Sequence, residues 1–153
     1  MAAALRGTRY AGEVERIADG ILSHRFPILG LTVDTGPTID WRRDYLHQVT
    51  SGTPYFRRSP YLDFSRVGDH KVIWELNRHQ HLTLLAQAFL LTGRREYLDE
   101  AFRQIESWLD ANPFLRGNQL GERAGGCLSS ALVGMALAHG WGARCPMRCA
   151  RAF

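Results

Sequence analysis

The chain has 153 residues, of which 45% are hydrophobic and 22% charged. That is enough apolar material for one domain with a modest core, and it excludes wholesale disorder. The net charge of +4 is carried almost wholly by arginine, since Lys71 is the only lysine, and it suits anionic partners without choosing among nucleic acid, acidic lipid and acidic polysaccharide.

The stretch after Met1 holds no apolar core long enough for a signal peptide, and no run of apolar residues reads as a membrane span. Two expectations fit that start: a cytosolic protein, or a chain without its true N-terminus. Residues 1–10 are expected to be flexible. Residues 11–24 predict a helix, because Val14, Ile17, Ala18, Ile21 and Leu22 recur at amphipathic spacing.

Residues 26–70 show no clear period and predict a long connection. It contains Pro27, Pro37, Pro54 and Pro60, with Trp41, Tyr45, Tyr55, Phe56, Tyr61 and Phe64. A wrapping loop pinned by its aromatics is favoured over a ligand lip. Residues 71–92 predict a second helix, with Val72, Ile73, Leu76, Leu82, Leu85, Ala86, Phe89 and Leu90 on a broad apolar face. Gly93 supplies its left-handed end. Residues 94–111 predict a third helix through Tyr97, Leu98, Ala101, Phe102, Ile105, Trp108 and Leu109, closed by Pro113. The short turn between the last two predicts an antiparallel helical hairpin.

The character of the chain changes after Gly117. Gly121, Gly125 and Gly126 loosen the sequence, and Cys127, Cys145 and Cys149 all follow. An odd cysteine count in one tract is no disulfide framework. His139, Cys145 and Cys149 have weak ligand spacing and no obvious fourth donor, so neither metal nor cofactor is expected. Ala131 to Ala138 could form a short helix.

The chemistry is concentrated in Trp74-Glu75-Leu76-Asn77-Arg78-His79-Gln80-His81-Leu82. Polar side chains in an apolar helix pattern need partners. On one continuous helix, Trp74, Asn77, Arg78 and His81 share a face, and Glu75 and His79 form a local pair. His79 and His81, two apart, are expected to diverge and to make a poor metal motif. On pattern alone, a structural network and a ligand-binding cleft stand level. Arginine is the natural partner for a carboxylate or sulfate, which its fork binds bidentately.

Gly68-Asp69-His70-Lys71-Val72-Ile73-Trp74-Glu75-Leu76-Asn77-Arg78-His79-Gln80-His81-Leu82 closely resembles the N-terminal domain of heparinase II/III-like polysaccharide lyases. So do Ala86-Gln87-Ala88-Phe89, Leu91-Thr92-Gly93, Ile105-Glu106-Ser107-Trp108 and Asn112-Pro113, and upstream Ala18-Asp19-Gly20-Ile21-Leu22, His24-Arg25-Phe26 and Ile39-Asp40-Trp41. The resemblance covers about residues 15–117. It implies an all-α fold, an incomplete (α/α) toroid with the long aromatic-rich loop, without the β-sandwich that follows the toroid in the family. It also implies an ancestral activity, β-elimination of uronic-acid polysaccharides. That reaction neutralises a carboxylate, removes the C5 proton and protonates the leaving oxygen. In the family an Asn-His pair in a later toroid helix, a Tyr and a further His do this. This sequence has no Asn-His dipeptide, so no catalytic residue is assigned. Trp74, Glu75, Asn77, Arg78, His79 and His81 are candidate substrate-binding residues.

The expected partner is an acidic, uronate-containing polysaccharide, with neither nucleic acid nor membrane; exposed toroid faces would also favour self-association. A parent enzyme could be periplasmic, whereas this chain as it stands reads as cytoplasmic. Another class is a helical-repeat interaction module, which would use similar hairpins, but no second copy is visible at a 34-residue period. A nucleic-acid binder rests on charge alone.

Residues 118–153 are expected to be a frameshifted or unstructured tail. Asn118 to Cys127 can be encoded as AAT CAA CTG GGC GAG CGC GCT GGA GGT TGC. Without its first base that string encodes Ile-Asn-Trp-Ala-Ser-Ala-Leu-Glu-Val-Ala, which resembles the family's next helix. The same shift through Arg144 admits a further apolar string with helical spacing.

Overall fold

The structure, a computed structural model, describes residues 2–53, 55 and 63–112. The expectations for Pro54, Phe56, Pro60, Tyr61, Pro113 and the tail from 118 onward lie outside the described residues. The described part is mainly helical. A short α1 (Ala2–Leu5) precedes α2 (Arg9–Leu22). Two small antiparallel hairpins follow, β1 (Arg25–Ile28) with β2 (Leu31–Asp34), and β3 (Arg43–Asp44) with β4 (Val49–Thr50). The chain then forms α3 (Phe64–Val67), α4 (His70–Asn77), α5 (Gln80–Thr92) and α6 (Glu96–Ala111).

The helix expected at 11–24 is α2. Thr8 caps it by accepting from the Ala11 N–H at 3.3 Å, and Val14, Ala18 and Ile21 form its buried stripe. α5 packs against both α2 and α6. Gly93 ends α5 at φ +79°, and its N–H reaches the Phe89 carbonyl at 2.7 Å. Only a residue free of a Cβ takes that conformation without strain.

Beyond this turn, the Tyr97 hydroxyl donates to Asp19 at 2.8 Å, and Arg94 Nη1 reaches the same hydroxyl at 2.6 Å and Asp19 at 3.0 Å. This knot ties α6 to α2 while the Tyr97 ring is fully buried. Burying such a ring contributes about 1.5–3 kcal/mol. The Tyr97 hydroxyl holds its proton to unusually high pH, first through desolvation and then through the Asp19 carboxylate.

The all-α expectation holds in its coarse form, since the described part is mainly helical, but residues 25–50 add two small hairpins. Phe26 and Ile28 alternate with Arg25 and Pro27, so the inward pair joins Val33 in the core while their neighbours face solvent. That period of two lasts only four residues, too few to stand out in the sequence. The turn is made by Leu29 (φ +51°) and Gly30 (φ +79°), the left-handed pair that matches strand twist.

The helix expected at 71–92 is also divided. α4 stops at Asn77, Arg78 ends it, and His79 sits at φ +57° before α5 begins. No proline or glycine marks this break; buried contacts at Asn77 and His79 impose it.

Asp44 anchors the β3–β4 hairpin to the start of α4. Its side chain is completely buried. One oxygen accepts from the Leu46 and His47 N–H groups at 2.9 and 3.1 Å; the other accepts from the Asp69 N–H and meets His47 Nδ1, both at 2.7 Å. Burial pushes this carboxyl up, but the Asp69 amide, the His47 ring and the neighbouring amides outweigh it and lower its pKa. Gly68, at φ +71°, lies so close that an added Cβ would stand 2.6 Å from the Asp44 Cβ. Gly68→Ala is therefore expected to destabilise the fold by about 1–3 kcal/mol. A denaturant midpoint unchanged from the parent chain would contradict this packing.

Candidate functional site

The six candidate residues lie around the joint between α4 and α5, and the break separates their roles. Trp74 and Glu75 are half-buried and Arg78 is exposed, whereas Asn77, His79 and His81 are buried. Trp74 stacks on His70 with ring centroids 5.4 Å apart. Glu75 accepts from Arg78 Nη1 at 2.5 Å, so the pair expected between Glu75 and His79 does not form. The left-handed backbone at His79 also removes the common face expected for Trp74, Asn77, Arg78 and His81.

Asn77 has every polar atom engaged. Its amide donates to the Trp41 carbonyl at 2.8 Å and to the Ile73 carbonyl at 2.6 Å, and its oxygen accepts from Trp108 Nε1 at 2.6 Å. Trp41, 1% exposed, donates through Nε1 to Ser107 Oγ at 3.1 Å. One asparagine thus joins the segment before β3, α4 and α6.

His79 and His81 point into the same interior, contrary to the divergence expected of a continuous helix. Their ring centroids are 5.8 Å apart. Trp41 lies 5.6 Å from His79 and 6.2 Å from His81; Trp108 meets His79 edge-on at 5.1 Å, and Phe26 meets His81 edge-on at 5.0 Å. Among the described residues, neither nitrogen of His79 has a hydrogen-bond partner, nor does Nε2 of His81. Gln104 stands beside His81 in a loose polar contact that favours the protonated ring. Its amide nitrogen donates to buried Glu100 at 2.7 Å, and Glu100 also holds Arg103 and, at 3.2 Å, His24 Nε2.

The pattern in the sequence singled out the histidines but not their surroundings. Trp41, Trp108, Gln104 and Phe26 come from three other segments; Trp41, Trp108 and Phe26 stood in motifs carrying the family resemblance, and Gln104 stood in none. Among the described residues, no group of three metal-binding side chains occurs, and no helix is long and apolar enough to cross a membrane.

Desolvation drives both histidines toward the neutral form. His79 falls from 6.5 to about 3, with the neighbouring His81 adding to the effect, and His81 falls to about 4 despite Gln104. Their folded values lie below the unfolded one, so the unfolded chain takes up protons that the folded chain refuses. Stability is intact above pH 6.5 and declines as pH falls toward 4, by about 1.4 kcal/mol per pH unit for each histidine. Thermal melts across this window are expected to show a falling midpoint, and His79→Gln a shallower slope. A flat profile in the parent chain would show that the rings titrate normally.

Searches of curated proteins and of solved structures found no match. A family model described as the heparinase II/III N-terminus matches residues 6–130, extending beyond the motif-bearing stretch at both ends. That match covers most of the chain and contains the whole α4–α5 joint, so the protein belongs to the heparinase II/III N-terminal family.

Proposed function

We propose that this chain is the N-terminal part of a polysaccharide lyase acting on uronate-containing polymers by β-elimination, and that it supplies part of a binding wall without turning substrate over alone. The family match over residues 6–130 carries this reading. The proposed architecture is an incomplete helical toroid, of which the α2–α5–α6 packing would be one sector.

Of the six proposed substrate-binding residues, Trp74, Glu75 and Arg78 offer surface, while Asn77, His79 and His81 set the joint beneath them. An arginine fork would meet a carboxylate or sulfate, and an indole would cover a sugar face. Base and acid for the elimination would come from the Asn-His, Tyr and His elements that resemblance assigns to later parts of such enzymes.

Incubation with heparan sulfate or alginate is expected to give no rise in ultraviolet absorbance from an unsaturated uronate. Arg78→Ala is expected to weaken retention of the chain on the immobilised polymer. Product formation abolished by Arg78→Ala or His81→Ala would show instead that the catalytic groups are within this chain.

The tail from Asn118 onward is proposed to be a shifted reading of a gene that once continued through further helices. Support comes from the composition break after Gly117 and the family-like string in the alternative frame; the family match in the written frame, which runs to residue 130, weighs against a shift as early as Asn118. Genomic sequencing tests it: a shifted frame should run on to encode an Asn-His helix and a β-sandwich, and its absence would sink the idea.

A further inference from the structure

The outer side of α4 carries charges that its packing does not use. Val72, Ile73, Leu76 and Asn77 are buried, so Lys71, Trp74, Glu75 and Arg78 fall on the opposite side of the helix. Lys71 and Arg78 are both exposed and stand about two turns apart, about 10 Å along the axis. The half-buried Trp74 lies between them and is held by its stack on His70. The row is roughly as long as a disaccharide.

The charges along this row alternate in sign. Asp69 opens α4 and accepts from the Lys71 N–H at 2.8 Å, and Glu75 accepts from Arg78 at 2.5 Å. Glu75 therefore offsets the Arg78 guanidinium. Among the described residues, no carboxylate pairs with the Lys71 ammonium. Two cations and two carboxylates leave the row near neutrality, in a chain whose net charge is +4.

We propose that this row is a subsite for a polymer that bears carboxylates and little or no sulfate, with Lys71 meeting the uronate carboxylate and Glu75 turning away densely sulfated chains. The subsite rests on the polysaccharide reading above. A repeat with a single carboxylate needs one uncompensated cation, and Lys71 supplies it. Its ammonium is a point charge with rotatable donors, able to follow a carboxylate through a range of chain orientations. A densely sulfated chain would instead bring several negative charges against Asp69 and Glu75, and like charges facing each other cost affinity. The paired Arg78 cannot compensate for them while Glu75 holds it.

The test uses the full chain at physiological ionic strength, titrated with alginate and heparin oligosaccharides of equal length. Alginate is expected to bind more tightly. Lys71→Ala is expected to weaken alginate binding about fivefold. Arg9→Ala, which removes the same charge from the exposed start of α2, is expected to change it less than about twofold. Glu75→Gln, which releases Arg78, is expected to raise affinity for heparin about threefold or more and to leave alginate nearly unchanged. Circular dichroism checks that each variant keeps its helices. The subsite is overturned if the parent prefers heparin, if Lys71→Ala costs no more than Arg9→Ala, or if Glu75→Gln leaves heparin binding unchanged. Binding of neither polymer by the parent would overturn the polysaccharide reading together with the subsite.

Discussion

The side chain of Asn77 is the constraint on which the central arrangement depends. It spends its two donors on the Trp41 and Ile73 carbonyls and its acceptor on the Trp108 indole. These bonds hold a loop, the end of one helix and the far end of another at a single point. A buried amide so placed is satisfied only when all three arrive together, so it specifies geometry as well as contributing energy. The end of α4 at this residue follows, and with it the left-handed His79 and the inward turn of both imidazoles.

The α4–α5 joint therefore combines opposite conditions within a few residues. Asn77 is fully paired, while His79 and His81 beside it are not. Paired groups fix the frame, and the unpaired ones are carried within it. Buried groups that contribute little to packing, held by strained backbone, are a common mark of functional positions. The half-buried Trp74 and Glu75 and the exposed Arg78 form the outer side of the joint, the side proposed to meet polysaccharide.

The long-period parts of the fold were legible in the sequence. Val14, Ala18 and Ile21 marked the buried face of α2, Gly93 marked the end of α5, and the apolar repeat from Tyr97 to Ile105 marked α6. Local spacing decides such elements. The hairpins were hidden because each strand is four residues or fewer, and alternation that brief has little statistical weight. The break at Arg78–His79 was hidden for a different reason: the apolar pattern runs through it, and its cause lies in residues 41 and 108. The candidate site was thus legible as a list of residues and illegible as an arrangement. Asn77 reads in sequence like a ligand contact, yet its bonds go to the protein's own frame.

The separations in chain bridged by Asn77 bear on the order in which the molecule assembles. Its partners Trp41 and Trp108 lie 36 and 31 residues away, whereas the β1–β2 turn and the α5–α6 hairpin close over a few residues. Local contacts cost little chain entropy and form early; distant ones wait until much of the chain is already confined. The tripod at Asn77 is thus expected to complete late in folding. Substitutions there are expected to speed unfolding more than they slow folding, so that the joint governs how long the chain stays folded more than how quickly it gets there.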